Sequence, residues 1–96
     1  MAQVAIASSG WDDLSRLFEF AAQRDAEAAV NAIAAIGDGI TLLEKHPNIG
    51  RPLGDGMREL IISYGATGYI ALYGFDAVRD IVTVFKIRHQ RELGYK

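Results

Sequence analysis

The sequence predicts an α+β domain with the element order βααβββ, and three observations lead to this prediction. A short β-branched run stands near the N-terminus. Apolar residues then recur at helical spacing over two stretches between residues 11 and 46. Three runs rich in β-branched and aromatic residues follow after residue 56, separated by short turns that join antiparallel strands. We expect both helices to cover one face of the resulting sheet.

Length and composition indicate a single domain of residues 1–96. Half of the residues are hydrophobic, which suffices for one core but not for two. The chain has no cysteine and two histidines, so we expect neither a metal site nor a cofactor. No apolar run approaches the roughly 20 residues that cross a bilayer. We therefore expect a cytoplasmic protein with no membrane partner.

The first half of the chain predicts a strand and a helical hairpin. The strand covers Gln3 to Ala7, and the first helix runs from Trp11 to about Arg24. Asp25 can cap a second helix that extends to about His46. Pro47 ends this helix, because the residue before a proline is disfavoured in the α conformation.

Two glycines, Gly37 and Gly39, lie inside the predicted second helix. Each costs about 1 kcal/mol relative to alanine in a helix interior. The apolar spacing continues on both sides of them. We therefore interpret the two glycines as points of close approach or a bend, and not as the end of the helix.

The second half of the chain predicts a three-stranded meander. A connector of residues 46–56, with two prolines and three glycines, precedes it. The strands are predicted at Met57 to Tyr64, Gly68 to Phe75 and Val78 to about His89. A short tail, residues 92–96, follows and is free to dock on the domain.

The predicted sheet is apolar on both faces. Alternate residues of a strand point to opposite faces, and apolar residues occupy both sets in the last two strands. Because two helices cover only one face, we expect the other face to be open to a partner, a second copy of the chain or the tail. We assign four residues to this open face: Tyr69, Tyr73, Val82 and Val84.

The charge is unevenly distributed. The formal net charge is −2, with acidic residues in excess before His46 and basic residues in excess after it. Proteins that depend on nucleic-acid contacts are usually clearly basic, and this chain is not. The basic residues concentrate at the end of the last strand, at Lys86, Arg88, His89 and Arg91. We expect this strand end to be a contact surface for a large partner.

Four segments in this order resemble the RelE/ParE superfamily of type II toxin–antitoxin toxins. They are HPNIGRPL before the meander, MREL at its start, GYIALYGF in its centre and VFKIRHQRE at its end. The resemblance covers nearly the full length. The HPxxGRP pattern and the arginine-led strand are most similar to the ParE-like branch.

The resemblance implies a toxin that arrests growth and is neutralised by a cognate antitoxin, whose extended and helical C-terminal segment wraps the toxin. This implication agrees with an open apolar face. The toxin is then either a homodimer or a heterotetramer with its antitoxin. The residues that we expect the antitoxin to contact are those of the open face: Tyr69, Tyr73, Val82 and Val84.

The two branches differ in the activity that they imply. ParE-like toxins bind and poison DNA gyrase. In this chain we expect the basic strand end, the tail and one arginine of the meander to form the target-binding surface: Arg58, Lys86, Arg88, His89, Arg91 and Tyr95. RelE-like toxins are ribosome-dependent mRNA endoribonucleases. Cleavage through the 2′-hydroxyl needs a base, an acid and cations on the phosphate. The candidates for these roles are His89, Arg88, Lys86, Arg58 and Tyr95.

We favour the ParE-like interpretation over the nuclease. The chain has no lysine between Lys45 and Lys86, whereas RelE-type sites are usually rich in lysine and arginine. A lone histidine at a strand end, such as His89, is more often hydrogen-bonded to the backbone than catalytic. A third interpretation is an inactive relic that retains antitoxin binding.

Two further arginines have structural alternatives. Arg58 contacts the target or forms an ion pair with a carboxylate such as Glu59 or Asp55. We expect Arg51 to fix the connector by donating hydrogen bonds to its carbonyl groups.

Overall fold

The computed structural model describes all 96 residues and confirms the α+β fold. Two helices and five strands are connected in one domain, with one more strand than the sequence predicts. The elements are β1 (Gln3–Ile6), α1 (Ser8–Ala22), α2 (Ala26–Thr41), a 3-10 turn (Leu42–Glu44), β2 (Arg51–Gly54), β3 (Met57–Tyr64), β4 (Thr67–Asp76) and β5 (Ile81–His89).

The five strands form one sheet in the order β1-β5-β4-β3-β2. Strands β3, β4 and β5 are the predicted antiparallel meander. Strand β1 pairs in parallel with β5, with Gln3 opposite Ile81. The helical hairpin is thus the crossover that carries the chain from β1 at one edge of the sheet to β2 at the other.

Strand β2 lies inside the segment that the sequence predicts as a connector without strands, and this prediction is wrong. Arg51 pairs with Glu59 of β3, and all four residues of β2 are exposed. A tight turn joins the two strands, in which Asp55 has a φ of 53° between two glycines of positive φ. Pro52 is tolerated because β2 is an edge strand, where its missing N–H faces solvent.

A β-bulge interrupts β5. Leu72 of β4 lies opposite Lys86, whereas the next residue, Tyr73, lies opposite Val84, so Phe85 is the extra residue. The bulge shifts the alternation by one residue. As a result Ile87 lies on the same face as Val84, and both are fully buried.

The helices cover the face to which the sequence analysis assigned the partner-binding residues. Helix α1 packs on β5 and α2 packs on β3. Tyr69 is 6 % exposed, and three other residues of this face are 0 % exposed: Tyr73, Val82 and Val84. The prediction that these four residues lie on an open face is therefore wrong. Alternation shows which side chains share a face, but not which face the helices take.

The opposite face of the sheet is the one left open. Ile61 is 50 % exposed and Phe85 is 36 % exposed there, and Met57 and Leu72 are half-buried. An open apolar face therefore exists as expected, although a different set of residues forms it.

Helix α2 begins where its sequence predicts, after Asp25. The carboxylate of Asp25 accepts hydrogen bonds from the backbone N–H groups of Glu27 and Ala28. At Gly39, a Cβ atom would lie 2.7 Å from the side chain of Ile62 on β3. Gly39 is thus a point of close approach between helix and sheet, as interpreted above, whereas Gly37 faces open space.

The helical stretch Ala26–Glu44 is long and apolar enough to cross a membrane by length and composition, with a mean hydropathy of 1.3. This finding differs from the expectation above. It is weak support for a membrane span, because the stretch is the inner helix of the hairpin and its residues Ile36 and Leu43 are fully buried in the core.

Candidate binding surface at the end of the sheet

Asp13 of α1 fixes the bulge in β5. A bulge locally interrupts the ladder of hydrogen bonds, and the carboxylate of Asp13 accepts the backbone N–H of Ile87 at 2.8 Å. The same carboxylate lies 3.2 Å from the Nζ atom of Lys86 and 3.5 Å from the guanidinium of Arg16. The side chain of Asp13 is 3 % exposed. Lys86, a predicted target-binding residue, is therefore held by an internal ion pair.

The tail folds back over the open face and is held there by four side chains, which we call the tail clasp: Arg51, Glu59, Arg88 and Tyr95. The hydroxyl group of Tyr95 donates to Glu59 Oε2 at 2.7 Å, and Arg51 donates to Glu59 Oε1 at 2.6 Å. The guanidinium of Arg88 lies 5.3 Å from the centre of the Tyr95 ring. The clasp connects β5 to β3 across the middle strand.

The tail clasp shifts the pKa values of two of its members in opposite directions. The hydrogen bond from Tyr95 holds the pKa of Glu59 below its usual value, with Arg51 acting in the same direction and burial acting against them. Burial raises the pKa of Tyr95 far above its usual value, and the bond to Glu59 adds to this rise. The neutral phenol and the ionised carboxylate therefore stabilise one another.

Arg58 fixes the connector that precedes the meander. Its guanidinium donates to the backbone oxygens of Asn48, at 3.0 Å, and Gly50, at 2.7 Å. Arg51 in turn forms the ion pair with Glu59. The two structural roles expected for these arginines are thus exchanged. Sequence reasoning could not separate them, because Arg51 lies opposite Glu59 only through the unpredicted strand β2.

Both ring nitrogens of His89 have partners. Its Nδ1 atom accepts the backbone N–H of Arg91 at 3.0 Å, so Nε2 carries the proton and donates to the hydroxyl group of Thr67 at 3.0 Å. The ring also packs edge-on against Tyr69, with 5.3 Å between the ring centres. This arrangement matches the structural alternative for His89, in which backbone and neighbours satisfy the ring.

A cleft of about 680 Å³ lies between the helical hairpin and the end of the sheet where His89 stands. Its apolar wall consists of side chains from both helices and from β3 and β4, namely Leu17, Phe20, Ala21, Ala28, Ala32, Tyr64 and Tyr69. Its polar wall consists of Arg16, Arg24, His89, Arg91, Glu92 and Lys96. The cleft is thus apolar on one side and mainly cationic on the other.

One carboxylate, that of Glu92, lies among the four cations of the cleft. It accepts a hydrogen bond from Arg16 at 2.9 Å and from the backbone N–H of His89 at 2.8 Å, and Lys96 lies 3.8 Å away. Arg24 and Arg91 form no ion pair. These two arginines are exposed and are the uncompensated charges of the cleft.

The structure does not bring the predicted target-binding residues together in one site. His89 and Arg91 line the cleft, whereas Arg88 and Tyr95 belong to the tail clasp. Lys86 lies on Asp13, and Arg58 lies on the connector. The structure contains no group of three or more histidine, aspartate or glutamate residues placed to hold a metal ion.

Sequence reasoning missed the contribution of the helices to the cleft. Arg16, Phe20 and Arg24 are spaced by four residues and all line the cleft. Such spacing places side chains on one face of a helix. Arg16 and Phe20 lie on α1 and Arg24 lies in the turn that follows it, so the four-residue spacing of Arg16 and Phe20 is the local signal that could have identified this side of the cleft.

A family model described as the ParE toxin of the type II toxin–antitoxin system parDE matches residues 5–94. The chain belongs to this family. Among curated proteins, toxin RelE3 of Caulobacter vibrioides is 36 % identical over 80 residues, which are 83 % of this chain and 85 % of that protein. The predicted membership of the RelE/ParE superfamily of type II toxins is thereby confirmed.

Solved structures of toxin–antitoxin systems share the fold. A chain of the chromosomal ParDE system from P. aeruginosa superposes with a TM-score of 0.77 at 17 % identity, over 93 % of this chain and 96 % of that one. A chain of the RelBE2 toxin–antitoxin complex from Mycobacterium tuberculosis gives a TM-score of 0.66 at 21 % identity, over 93 % and 98 % of the two chains. At these identities the likeness establishes the fold.

Proposed function

We propose that this chain is a ParE-like toxin that acts in the cytoplasm by binding and inhibiting DNA gyrase, and that a cognate antitoxin neutralises it. Membership of the ParE toxin family supports this function. We choose binding over RNA cleavage because of the contacts made by the residues that are candidates for nuclease catalysis. Each of them is held by a partner within the chain.

His89 lacks a free nitrogen for proton transfer. To accept a proton from a 2′-hydroxyl group, its Nδ1 atom has to lose the N–H of Arg91, and to donate one its Nε2 atom has to leave Thr67. A general base needs its substrate within hydrogen-bond reach. The geometry of His89 favours a structural role.

The remaining nuclease candidates are also engaged. Lys86 is paired with the buried carboxylate of Asp13. Arg58 donates to two carbonyl groups of the connector. Tyr95 donates to Glu59, and its raised pKa keeps the proton on the phenol.

The surface proposed for gyrase is the end of β5 and the tail. Arg91, Leu93 and Lys96 are exposed there, and Leu93 has no contact that covers it. An exposed apolar residue between two cations is typical of a protein contact surface. Binding at such a surface is distributed, so single changes are expected to weaken it partially.

Ribosome-dependent mRNA cleavage is the second candidate function, and two observations favour it. The curated relative carries the name toxin RelE3. Arg88 and Tyr95, both candidates for catalysis, also lie next to each other. Release of the tail clasp would free both side chains.

The order in which DNA and protein synthesis fail in cells distinguishes the two functions. The chain is induced in bacteria that lack its antitoxin, and incorporation of labelled thymidine and methionine is followed over the first minutes. Gyrase inhibition stops thymidine incorporation first, whereas mRNA cleavage stops methionine incorporation first. His89→Ala tests the nuclease function. If this variant folds normally but is no longer toxic, the result supports RNA cleavage.

A further inference from the structure

We infer that the cleft between the helical hairpin and the end of the sheet binds a small phosphorylated molecule with a flat aromatic ring, of the class of nucleoside di- and triphosphates. The inference is independent of the toxin's target, because it concerns a small ligand and not a macromolecular partner. Three features of the cleft lead to it: cations without partners, an aromatic wall that is open on one side, and a volume that suits a ligand of this size.

Three of the four cations in the cleft are available to a ligand. The fourth, Arg16, donates to Glu92 at 2.9 Å, and this carboxylate also accepts a backbone N–H group. Arg24 and Arg91 form no ion pair. Lys96 is 63 % exposed and lies 3.8 Å from Glu92. The single carboxylate of the cleft therefore leaves most of the positive charge uncompensated.

The three available cations come from two separate parts of the chain. Arg24 lies in the turn between the two helices, whereas Arg91 and Lys96 follow β5. Guanidinium groups bind phosphate oxygens in bidentate pairs, and an ammonium group binds them as a point charge. A diphosphate or triphosphate chain has enough oxygens and negative charge for all three cations. A single carboxylate does not.

The apolar wall of the cleft offers a stacking surface. Phe20 is 66 % exposed although it lines the cleft, and Tyr64 of the same wall is half-buried. The neighbouring positions of this wall are small side chains, Ala21, Ala28 and Ala32. Nucleobases stack on exposed aromatic rings regardless of their sequence identity, because every base has a π face. A one-sided wall of this kind suits a flat ring better than an acyl chain, which is stabilised in proportion to the area removed from water.

The size of the cleft and the net charge of the chain favour a mononucleotide over a nucleic acid. The volume of about 680 Å³ lies within the range of roughly 300–1,000 Å³ that is common for small-molecule sites. The net charge of the whole chain is −2, which opposes a long polyanion that depends on many phosphate contacts. A nucleoside di- or triphosphate needs only the local charge of the cleft.

A bound nucleotide connects the helical hairpin to the tail. It contacts Arg24 on one side of the cleft, and Arg91 and Lys96 on the other. A ligand that binds only the folded chain stabilises it in proportion to the logarithm of its concentration. We therefore expect the melting temperature of the chain to rise with the concentration of nucleotide.

Charge-reversal variants test the location of the site. The wild-type chain, Arg24→Glu and Arg91→Glu are titrated calorimetrically with ADP and with ATP, in the presence of EDTA so that no metal ion contributes. We expect each reversal to raise the dissociation constant about ten- to a hundredfold, because a like charge then faces the phosphates. Arg79→Glu is the control and should bind like wild type, since Arg79 is 77 % exposed in the turn before β5 and outside the cleft.

The two halves of the ligand test the chemistry of the site. Phe20→Ala removes the stacking surface and leaves the cations in place. We expect it to weaken the binding of ADP and ATP about tenfold and to leave the binding of inorganic pyrophosphate unchanged. Adenosine, which has no phosphate, should bind wild type far more weakly than ADP does. Because Phe20, Arg24 and Arg91 are exposed, we expect all variants to fold, and circular dichroism without ligand checks this.

Four outcomes overturn the inference. A wild-type chain that binds neither ADP nor ATP at about 1 mM has no such site. Equal affinity of wild type and both charge reversals places the binding outside the cleft. Pyrophosphate that binds as tightly as ADP, with no effect of Phe20→Ala, reduces the cleft to a surface for simple anions. Laurate or a single-stranded RNA oligonucleotide that binds far more tightly than ATP, and whose binding both reversals abolish, assigns the cleft to a different class of ligand.

Discussion

The tail clasp and the cleft both contain arginines, but they differ in whether these arginines have partners within the chain. In the clasp, Arg51, Arg88 and Tyr95 surround Glu59, and each makes a contact within the chain. In the cleft, the guanidinium groups of Arg24 and Arg91 form no ion pair. Sequence position does not separate the two groups, because Arg88 and Arg91 are three residues apart. Their internal partners decide which of them stabilise the fold and which are free for binding.

The difference has an energetic meaning. A buried charge that loses its partner costs several kcal/mol, whereas an exposed charge loses almost nothing. The side chain of Glu59 is 8 % exposed. A binding partner that pulls Arg51 or Tyr95 away from Glu59 therefore has to compensate for the unpaired carboxylate. A partner that binds Arg24 or Arg91 of the cleft does not have this cost.

The largest loss of stability is expected at Asp13, whose carboxylate is buried and paired within the chain. Asp13→Ala leaves the N–H of Ile87 and the ammonium group of Lys86 without their acceptor. We expect a loss of about 3 kcal/mol in the free energy of unfolding. Urea denaturation measures it, with Asp12→Ala as the control because Asp12 is exposed. Equal stability of both variants contradicts the role given to Asp13.

A smaller loss is expected from the tail clasp. Tyr95→Phe removes one hydrogen bond to an ionised carboxylate and keeps the ring against Arg88. We expect about 1.5 kcal/mol of destabilisation in the same urea measurement. Tyr64→Phe is the matched control, since its hydroxyl group makes only a long contact of 3.5 Å with Ala28. A loss in Tyr64→Phe as large as that in Tyr95→Phe argues against the clasp.

The clasp also predicts how stability depends on pH. The pKa of Glu59 is lowered by folding from an ordinary value of 4.5. Its contribution is therefore complete above pH 4.5 and is lost as the pH falls through the folded-state pKa. Unfolding free energies from pH 6 down to pH 3 should decrease less steeply in Tyr95→Phe than in wild type. Parallel pH profiles for the two proteins contradict this coupling.

The smallest effect on stability is expected in the cleft. Arg24→Ala and Arg91→Ala remove exposed side chains without ion pairs. We expect both to unfold within about 0.5 kcal/mol of wild type. A loss above 1 kcal/mol in thermal or urea denaturation shows that these arginines stabilise the fold, and the contrast with the clasp then fails.

Local patterns in the sequence were sufficient for the helical hairpin, the meander and the family. Helical spacing, the capping residue Asp25 and the short turns act over a few residues, and the structure follows them. The apolar alternation of β4 and β5 also indicated correctly that the helices leave one apolar face of the sheet uncovered.

The errors concern long-range pairing. The bulge at Phe85 moves Ile87 to the other face, and the acceptor that fixes the bulge, Asp13, lies 74 residues from Ile87. Strand β2 exists because β3 offers it an edge, although its own composition of proline and glycine disfavours a strand. Which basic residues belong to the clasp and which to the cleft depends on these same pairings, so local sequence patterns could not predict it.

Purified components test the proposed activity most directly. The chain is added to DNA gyrase in a supercoiling assay and, in parallel, to ribosomes translating a defined mRNA. Because the nuclease candidates are held by internal partners, we expect supercoiling to stop and the mRNA to remain intact. Cleavage of the mRNA that His89→Ala abolishes, with supercoiling unaffected, would contradict gyrase inhibition and assign His89 to catalysis.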